Sequence, residues 1–274
     1  MSTKKIIVPV DFTAASEQAI KQAINIALKS GCTISLIHVI GEISKDSARE
    51  ELVKTRDKLQ ELTENTEKAG VRCETTISEG SIFTEIPSIA NNPENFMVVM
   101  GTHGIQGLKQ KLLGADILKL ARKISIPCLI VQDECINYGL NPIVLPVGGH
   151  DNFNALVAVV ATLAGIFDSE IIIYSVIRKG EPESEKIRNN TQLAEKIFSE
   201  SFIRCRRVRE EMTIISVGFA RQTLQFSNNT GAGLIGIMSV KSEEHYYFAQ
   251  ADKETMVNNG HNIPILCVSG PENF

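Results

Sequence analysis

Nearly continuous apolar runs alternate along the chain with longer stretches whose apolar positions recur every three or four residues. In the first half the runs occupy residues 6–10, 36–40, 97–100 and 126–131. Such runs predict strands buried on both faces, as in a parallel sheet flanked by helices. The stretches between them predict helices. Residues 16–30 carry Ala19, Ile20, Ala23, Ile24, Ala27 and Leu28 ahead of Gly31, a residue suited to a helix C-cap. Residues 46–69 carry Leu52, Val53, Leu59 and Leu62 on a charged background and stop at Gly70. Ser81 stands as an N-cap before Ile82, Ile86 and Ile89, and Asn91-Asn92-Pro93 ends that pattern.

The whole arrangement then repeats. Ile7-Val8-Pro9-Val10 is answered by Val144-Leu145-Pro146-Val147, and Leu36-Ile37-His38-Val39-Ile40 by Ile173-Tyr174-Ser175-Val176-Ile177, each 137 residues on. Met97-Val98-Val99-Met100 and Leu234-Ile235-Gly236-Ile237 keep the same 137-residue offset, as do 126–131 and 263–268. Four separated landmarks in one register predict two consecutive copies of one α/β domain, residues 1–135 and 141–274, with a short polar linker near 133–141. Each copy is expected to be a doubly wound parallel sheet with right-handed crossovers. Its ligand site is then expected in the crevice beyond the carboxyl ends of the strands. The loops after Val10, Val39 and Met100 open at that edge.

Composition narrows the function classes. A chain of 274 residues suits two domains, and 43% hydrophobic with 22% charged residues is ordinary for a soluble globular protein. No apolar run approaches the roughly 18 residues of a membrane helix. A formal net charge of −4 argues against a surface built to hold nucleic acid, so any anion site must be local. Met-Ser-Thr-Lys-Lys runs straight into the first strand without a secretory h-region, which points to the cytoplasm. Cys32, Cys73, Cys128, Cys135, Cys205 and Cys267 form no C-x-x-C pair, so neither a metal nor a redox centre is expected. Reduced cysteines near apolar strands behave as small hydrophobes. Arg204, Arg206, Arg207 and Arg209 form a basic run followed by Glu210 and Glu211, the pattern of a solvated face.

One loop carries candidate chemistry. After the third apolar run the chain reads Gly101-Thr102-His103-Gly104, then nine residues, then Gly114-Ala115-Asp116 and a helical pattern. Glycines let main-chain N–H groups turn toward a ligand, and a helix start adds unpaired N–H groups and a positive dipole end. A phosphate fits such a loop, although turn glycines alone would look the same. His103 can donate to phosphate, and Lys109 and Lys111 are the nearest cations in sequence. Asp11, at the end of the first strand, can accept ribose hydroxyls or serve as a turn residue. His38 lies within a strand and reads as structural.

The spacing Gly101-x-x-Gly104-x(9)-Gly114, together with Pro9-Val10-Asp11, resembles the universal stress protein family over both copies. The resemblance implies a Rossmann-like fold of the adenine nucleotide α-hydrolase type, with two domains packed as a pseudo-dimer through residues 126–132 and 263–269. Further association into a homodimer is open to such a chain. It also implies that an adenine nucleotide (AMP, ADP or ATP) binds in the first copy. Asp11 and Val39, flanked by Pro9, Val10 and Met100, would hold ribose and adenine. The phosphates would rest on Gly101, His103, Gly104 and the turn of Gly114, Ala115 and Asp116. The family pattern has Ser or Thr where this chain has Ala115, so a hydroxyl contact is lost. An ionised Asp116 at about 5 Å from a phosphate charge is unfavourable by roughly 3 kcal/mol at an effective dielectric near 20, and a helix N-terminus returns only about 0.3–1 kcal/mol. Without Mg²⁺ or a lysine to offset it, AMP or ADP should bind better than ATP.

At the repeat offset the second copy has Gly148 for Asp11, Met238 for Gly101, Lys241 for Gly104 and Ala251 for Gly114. It is expected not to bind nucleotide there, and Gly148-Gly149-His150-Asp151 reads as a flexible turn. Catalytic residues are not expected, because no nucleophile–base pair or carboxylate cluster accompanies the loop. The favoured class is a nucleotide-binding regulatory protein. A slow ATP hydrolase using the same crevice, or an interaction module with two vestigial pockets, are the alternatives.

Overall fold

The computed structural model describes residues 3–41, 45–102, 114–134, 138–212, 218–240 and 250–269. The chain divides into two compact units, Met1–Glu134 and Cys135–Phe274. Unit 1 runs β1 (Lys5–Pro9), α1 (Ala14–Ser30), β2 (Thr33–Ile40), α2 (Lys45–Lys68), β3 (Cys73–Glu79), α3 (Ile82–Ala90), β4 (Asn95–Gly101), α4 (Gly114–Arg122) and β5 (Cys128–Val131). Its strands lie in the order β3-β2-β1-β4-β5, all parallel. Unit 2 comprises β6 (Ile143–Pro146), α5 (Phe153–Phe167), β7 (Ile171–Ile177), α6 (Glu185–Glu200), β8 (Cys205–Glu211), α7 (Gly218–Asn229), β9 (Leu234–Met238), α8 (Gln250–Val257) and β10 (Ile265–Val268). Its order, β8-β7-β6-β9-β10, is the same winding.

The repeat seen in sequence survives as pairing register. Val8 pairs with Leu36 and Leu145 with Ile173, while Val98 pairs with Cys128 and Ile235 with Ile265. One local slip occurs. Ile34 pairs with Cys73, 39 residues on (73 − 34), whereas Ile171 pairs with Cys205, only 34 residues on (205 − 171). The five missing residues fall in the α6 crossover, whose helix has 16 residues against 24 in α2.

Each sheet is buried by helices on both faces, which is why β4, β6, β7 and β9 are apolar almost throughout. The outer strands β3 and β8 differ. Their sequences, Cys-Glu-Thr-Thr-Ile-Ser-Glu and Cys-Arg-Arg-Val-Arg-Glu-Glu, are half exposed and charged, as suits sheet edges. Arg204, Arg206 and Arg207 pair with Asp168, Glu170 and Glu183, so the basic run is a strand edge neutralised by its neighbours. The described cysteines are free, and burial pushes the Cys73 thiol up from its ordinary value.

Helix α1 has the expected cap signals: Thr13 accepts from the Ser16 N–H, and Gly31 closes the helix with a left-handed φ of 73°. Of its expected apolar positions Ala19, Ile20, Ala23 and Ala27 are buried, joined by Ala15, Gln22 and Ile26, while Ile24 is half-buried and Leu28 is 58% exposed. Val53 of α2 is likewise exposed, with Leu59 taking the core position. Helix α3 contains Pro87, which cannot donate to the carbonyl of Phe83. Lys123 Nζ donates to that carbonyl at 3.2 Å instead, and Asn91 ties the helix end to Lys123 and Ser125.

The tightest packing in unit 1 joins the end of β4 to the first turn of α1. A β-carbon on Gly101 would lie 2.6 Å from the carbonyl carbon, oxygen and Cβ of Ala15. We expect Gly101→Ala to lower stability by at least about 2 kcal/mol. Gly165→Ala, in an open exposed turn of α5 with nothing within 4 Å, should instead raise stability by about 0.5–1 kcal/mol. Urea denaturation of both variants reads the difference.

Candidate functional site

The carboxyl edge of unit 1 is built first by the turn between β1 and α1. The Thr13 N–H and hydroxyl both donate to Asp11 Oδ1, at 3.1 and 2.6 Å, and Thr13 Oγ1 accepts from the Ser16 N–H at 3.4 Å. Asp11 is therefore a turn residue, fixed against the cap of α1 and half exposed at its positive end. Of the two readings of Asp11, this geometry is that of the turn residue.

Beside it, β2 outruns β1. The last rung across this pair is the Val10 N–H to the Ile37 carbonyl at 2.8 Å, whereas the Gly80 N–H reaches the Ile40 carbonyl from the β3 side. Main-chain groups alternate sides along a strand, so those of Val39 face the β1 side beyond the end of that ladder. The Val10 carbonyl, to which a further rung would run, accepts from His38 Nδ1 at 2.7 Å. His38 thus carries its proton on Nδ1 and closes the ladder, the structural role expected of it. Phe12 follows Asp11 in a left-handed conformation, φ 63°. Its ring lies 4.8 Å from the His38 ring, and Lys58 Nζ of α2 lies 4.9 Å from its centroid.

The third contributor is β4. Met100 is buried, Gly101 pairs with Val131, and the Thr102 N–H donates to the Val131 carbonyl at 2.9 Å. Gly114 and Ala115 open α4, and Asp116, half buried, stands in its first turn, where a carboxylate suits the helix dipole. His103, Gly104, Lys109 and Lys111 lie outside the described residues. The topology therefore brings Pro9, Val10, Asp11, Val39, Met100, Gly101 and the start of α4 to one sheet edge, at the switch point between β1 and β4. Sequence reasoning missed Phe12, Thr13 and Lys58. Thr13-x-x-Ser16 before an apolar run was a legible cap; nothing in the sequence signals a left-handed phenylalanine or a cation above its ring.

The corresponding edge of unit 2 is closed. The segment Gly148-Gly149-His150 is buried, and Asn190 Nδ2 of α6 donates to the carbonyls of Gly148 at 2.8 Å and His150 at 3.0 Å. This corrects the expectation of a flexible turn: Asn190, distant in sequence, clamps it. Lys253, which stands where unit 1 has Asp116 (116 + 137), is 1% exposed, and its Nζ donates to the Val240 carbonyl. Lys186 pairs with Asp151. Met238 replaces Gly101, and α5 begins at Phe153, two residues later than the counterpart of Ala14 (14 + 137 = 151). Burial, then the charges of Lys253 and Lys186, push the His150 ring down to about 3. Among the described residues no group of three or more His, Cys, Asp or Glu side chains could hold a metal, and no helix is long and apolar enough to cross a membrane.

Two parallel α/β units of this winding, each with its switch point beside its first strand, define a Rossmann-like tandem. Residues 2–132 match the model of the universal stress protein family. The chain is 30% identical over 146 residues to universal stress protein MJ0531 of Methanocaldococcus jannaschii, a match spanning 47% of this chain and 82% of that protein. Universal stress protein YxiE of Bacillus subtilis is 28% identical over 47% of this chain and 98% of its own. The chain belongs to the universal stress protein family. Its full-length fold is similar to that of a universal stress protein from Archaeoglobus fulgidus, with a TM-score of 0.76 over 98% of this chain and 99% of that one, at 16% identity.

The buried His150 sets a pH dependence. Folded, it stays neutral down to about 3; unfolded, it takes up a proton near the ordinary histidine value of 6.5, so acidification favours the unfolded chain. Stability should fall as pH drops from 6.5 toward 4.5, with a slope approaching about 1.4 kcal/mol per unit. Urea midpoints across that window should flatten in His150→Asn.

Proposed function

We propose that unit 1 binds an adenine nucleotide at the β1–β4 switch point and that unit 2 binds none in its corresponding crevice, making the chain a cytoplasmic, nucleotide-responsive stress protein without a catalytic centre. The observation that carries this is the pairing of two groups at one edge. The Asp11 carboxylate is held by Thr13 at the crevice mouth, and the main chain of Val39 faces the space beyond β1. A carboxylate accepts ribose hydroxyls, and a main-chain N–H with its neighbouring carbonyl reads an adenine edge. Pro9, Val10, Met100 and Gly101 line the same edge, with phosphates directed toward His103, Gly104 and the turn of Gly114, Ala115 and Asp116. Unit 2 lacks the carboxylate and has a buried lysine and a clamped turn instead.

Asp116 shapes the preference. A carboxylate near the phosphates favours AMP or ADP over ATP, and Mg²⁺ is the cation that would lift this discrimination. Calorimetric titration is expected to give one site per chain, AMP or ADP tighter than metal-free ATP, and at least a tenfold loss of affinity in Asp11→Ala. Two sites per chain, or unaltered binding by Asp11→Ala, would overturn the assignment. A multiple-turnover assay with ATP separates this binder from a slow hydrolase, for which phosphate release would continue past one equivalent.

A further inference from the structure

We propose that Phe12, held in its left-handed conformation between His38 and Lys58, is a positioning residue that fixes the Asp11 carboxylate for its ligand. The inference rests on the nucleotide reading of unit 1 and deepens it. Left-handed backbone is unfavourable for a bulky L-residue, and such conformations persist where the surroundings over-determine them. Here three groups do so. His38 Nδ1 holds the carbonyl of Val10 on one side of Asp11, at 2.7 Å. The Phe12 ring packs at 4.8 Å on that same imidazole, under the Lys58 ammonium at 4.9 Å. Thr13, on the other side of Asp11, is anchored as the cap of α1. The chain on both sides of the carboxylate is thereby fixed, while the turn itself stays half exposed.

Unit 2 serves as an internal control. At the 137-residue offset Phe12 becomes Gly149, His38 becomes Ser175 and Asp11 becomes Gly148. In α6 the five-residue slip sets Lys58 against Asn190 (58 + 137 − 5), an alignment that also matches buried Thr55, Leu59 and Thr66 with buried Ile187, Thr191 and Phe198. The same helix position therefore reaches over the same turn in both units. In unit 2 an amide bonds two carbonyls of a buried turn. In unit 1 a cation rests on an aromatic ring and leaves those carbonyls to other partners. Where the carboxylate is absent, Gly149 stands at the Phe12 offset outside the left-handed region, so the left-handed turn accompanies the carboxylate and not the fold.

The test is AMP and adenosine titration of the full chain with matched thermal melts. In Phe12→Gly, glycine relieves the left-handed strain, so the melting midpoint should hold or rise while affinity for both AMP and adenosine falls at least tenfold. Phe12→Tyr should bind within twofold of the wild type. Lys58→Met, at an exposed helix position, folds irrespective of the turn and should lose at least threefold for both ligands with an unaltered midpoint. A Phe12→Gly protein that binds within twofold of the wild type, or that loses affinity only in step with its melting midpoint, overturns the proposal. So does a Lys58→Met loss confined to AMP, which would make the lysine a phosphate contact. If the wild type itself binds neither ligand, the nucleotide reading of unit 1 fails and this one with it; failure of the variants alone leaves that reading standing.

Discussion

The rest of unit 1 depends on how closely the end of β4 approaches the first turn of α1. With no β-carbon at position 101, the main chain of β4 lies against Ala15, and α1 can begin at Ala14. That starting point makes Thr13 the cap, and the cap in turn fixes Asp11 at the head of the helix. In unit 2 a buried Met238 occupies the equivalent place and α5 starts two residues further on, with Asn152 at its cap making no side-chain hydrogen bond. A helical turn where α1 has its first would collide with that side chain. The loss of one glycine and the later start of the helix thus go together.

The two units then diverge in charge. Unit 1 has carboxylates at Asp11 and Asp116, and Lys58 is drawn to a ring. Unit 2 reverses the sign at Lys253 and buries it against a carbonyl, which is tolerable only because the ammonium has a hydrogen-bond acceptor. The neighbouring His150 remains neutral under that field. Burial and positive potential together convert an edge that could have faced a ligand into one satisfied from within.

Strands with helices on both faces were legible because their burial leaves uninterrupted apolar runs, and the repeat was legible because pairing register forbids drift between such strands. The outer strands were not, since β3 and β8 are half exposed and polar; the arginine run is exposed as a solvated face should be, but nothing in it signalled a strand. In α1 four of the expected apolar positions are buried, but Ile26 and Leu28 are equally apolar, and only tertiary packing decides that Ile26 enters the core. At the site, Asp11 and Val39 were singled out by the family resemblance, and the strand ends they occupy place them on the carboxyl edge. Phe12 was not, because its conformation depends on His38 and Lys58, which are 26 and 46 residues away (38 − 12 and 58 − 12).

The glycine pattern that first drew attention to the β4 loop changes meaning once packing is considered. Gly101 is required by its contact with Ala15 whether or not an anion ever lies beside it. The glycine alone is therefore consistent with a purely structural loop. The ladder ends at the same rung in both units, Val10 to Ile37 and Val147 to Tyr174, so what does not follow from packing is the orientation of Asp11: a fold needing only stability could clamp the turn, as unit 2 does with Asn190. Unit 1 leaves the turn half exposed and keeps a strained aromatic beside it. Functional weight thus shifts from the glycines to the end of β1, where the chain forgoes stabilisation that its own second half shows to be attainable.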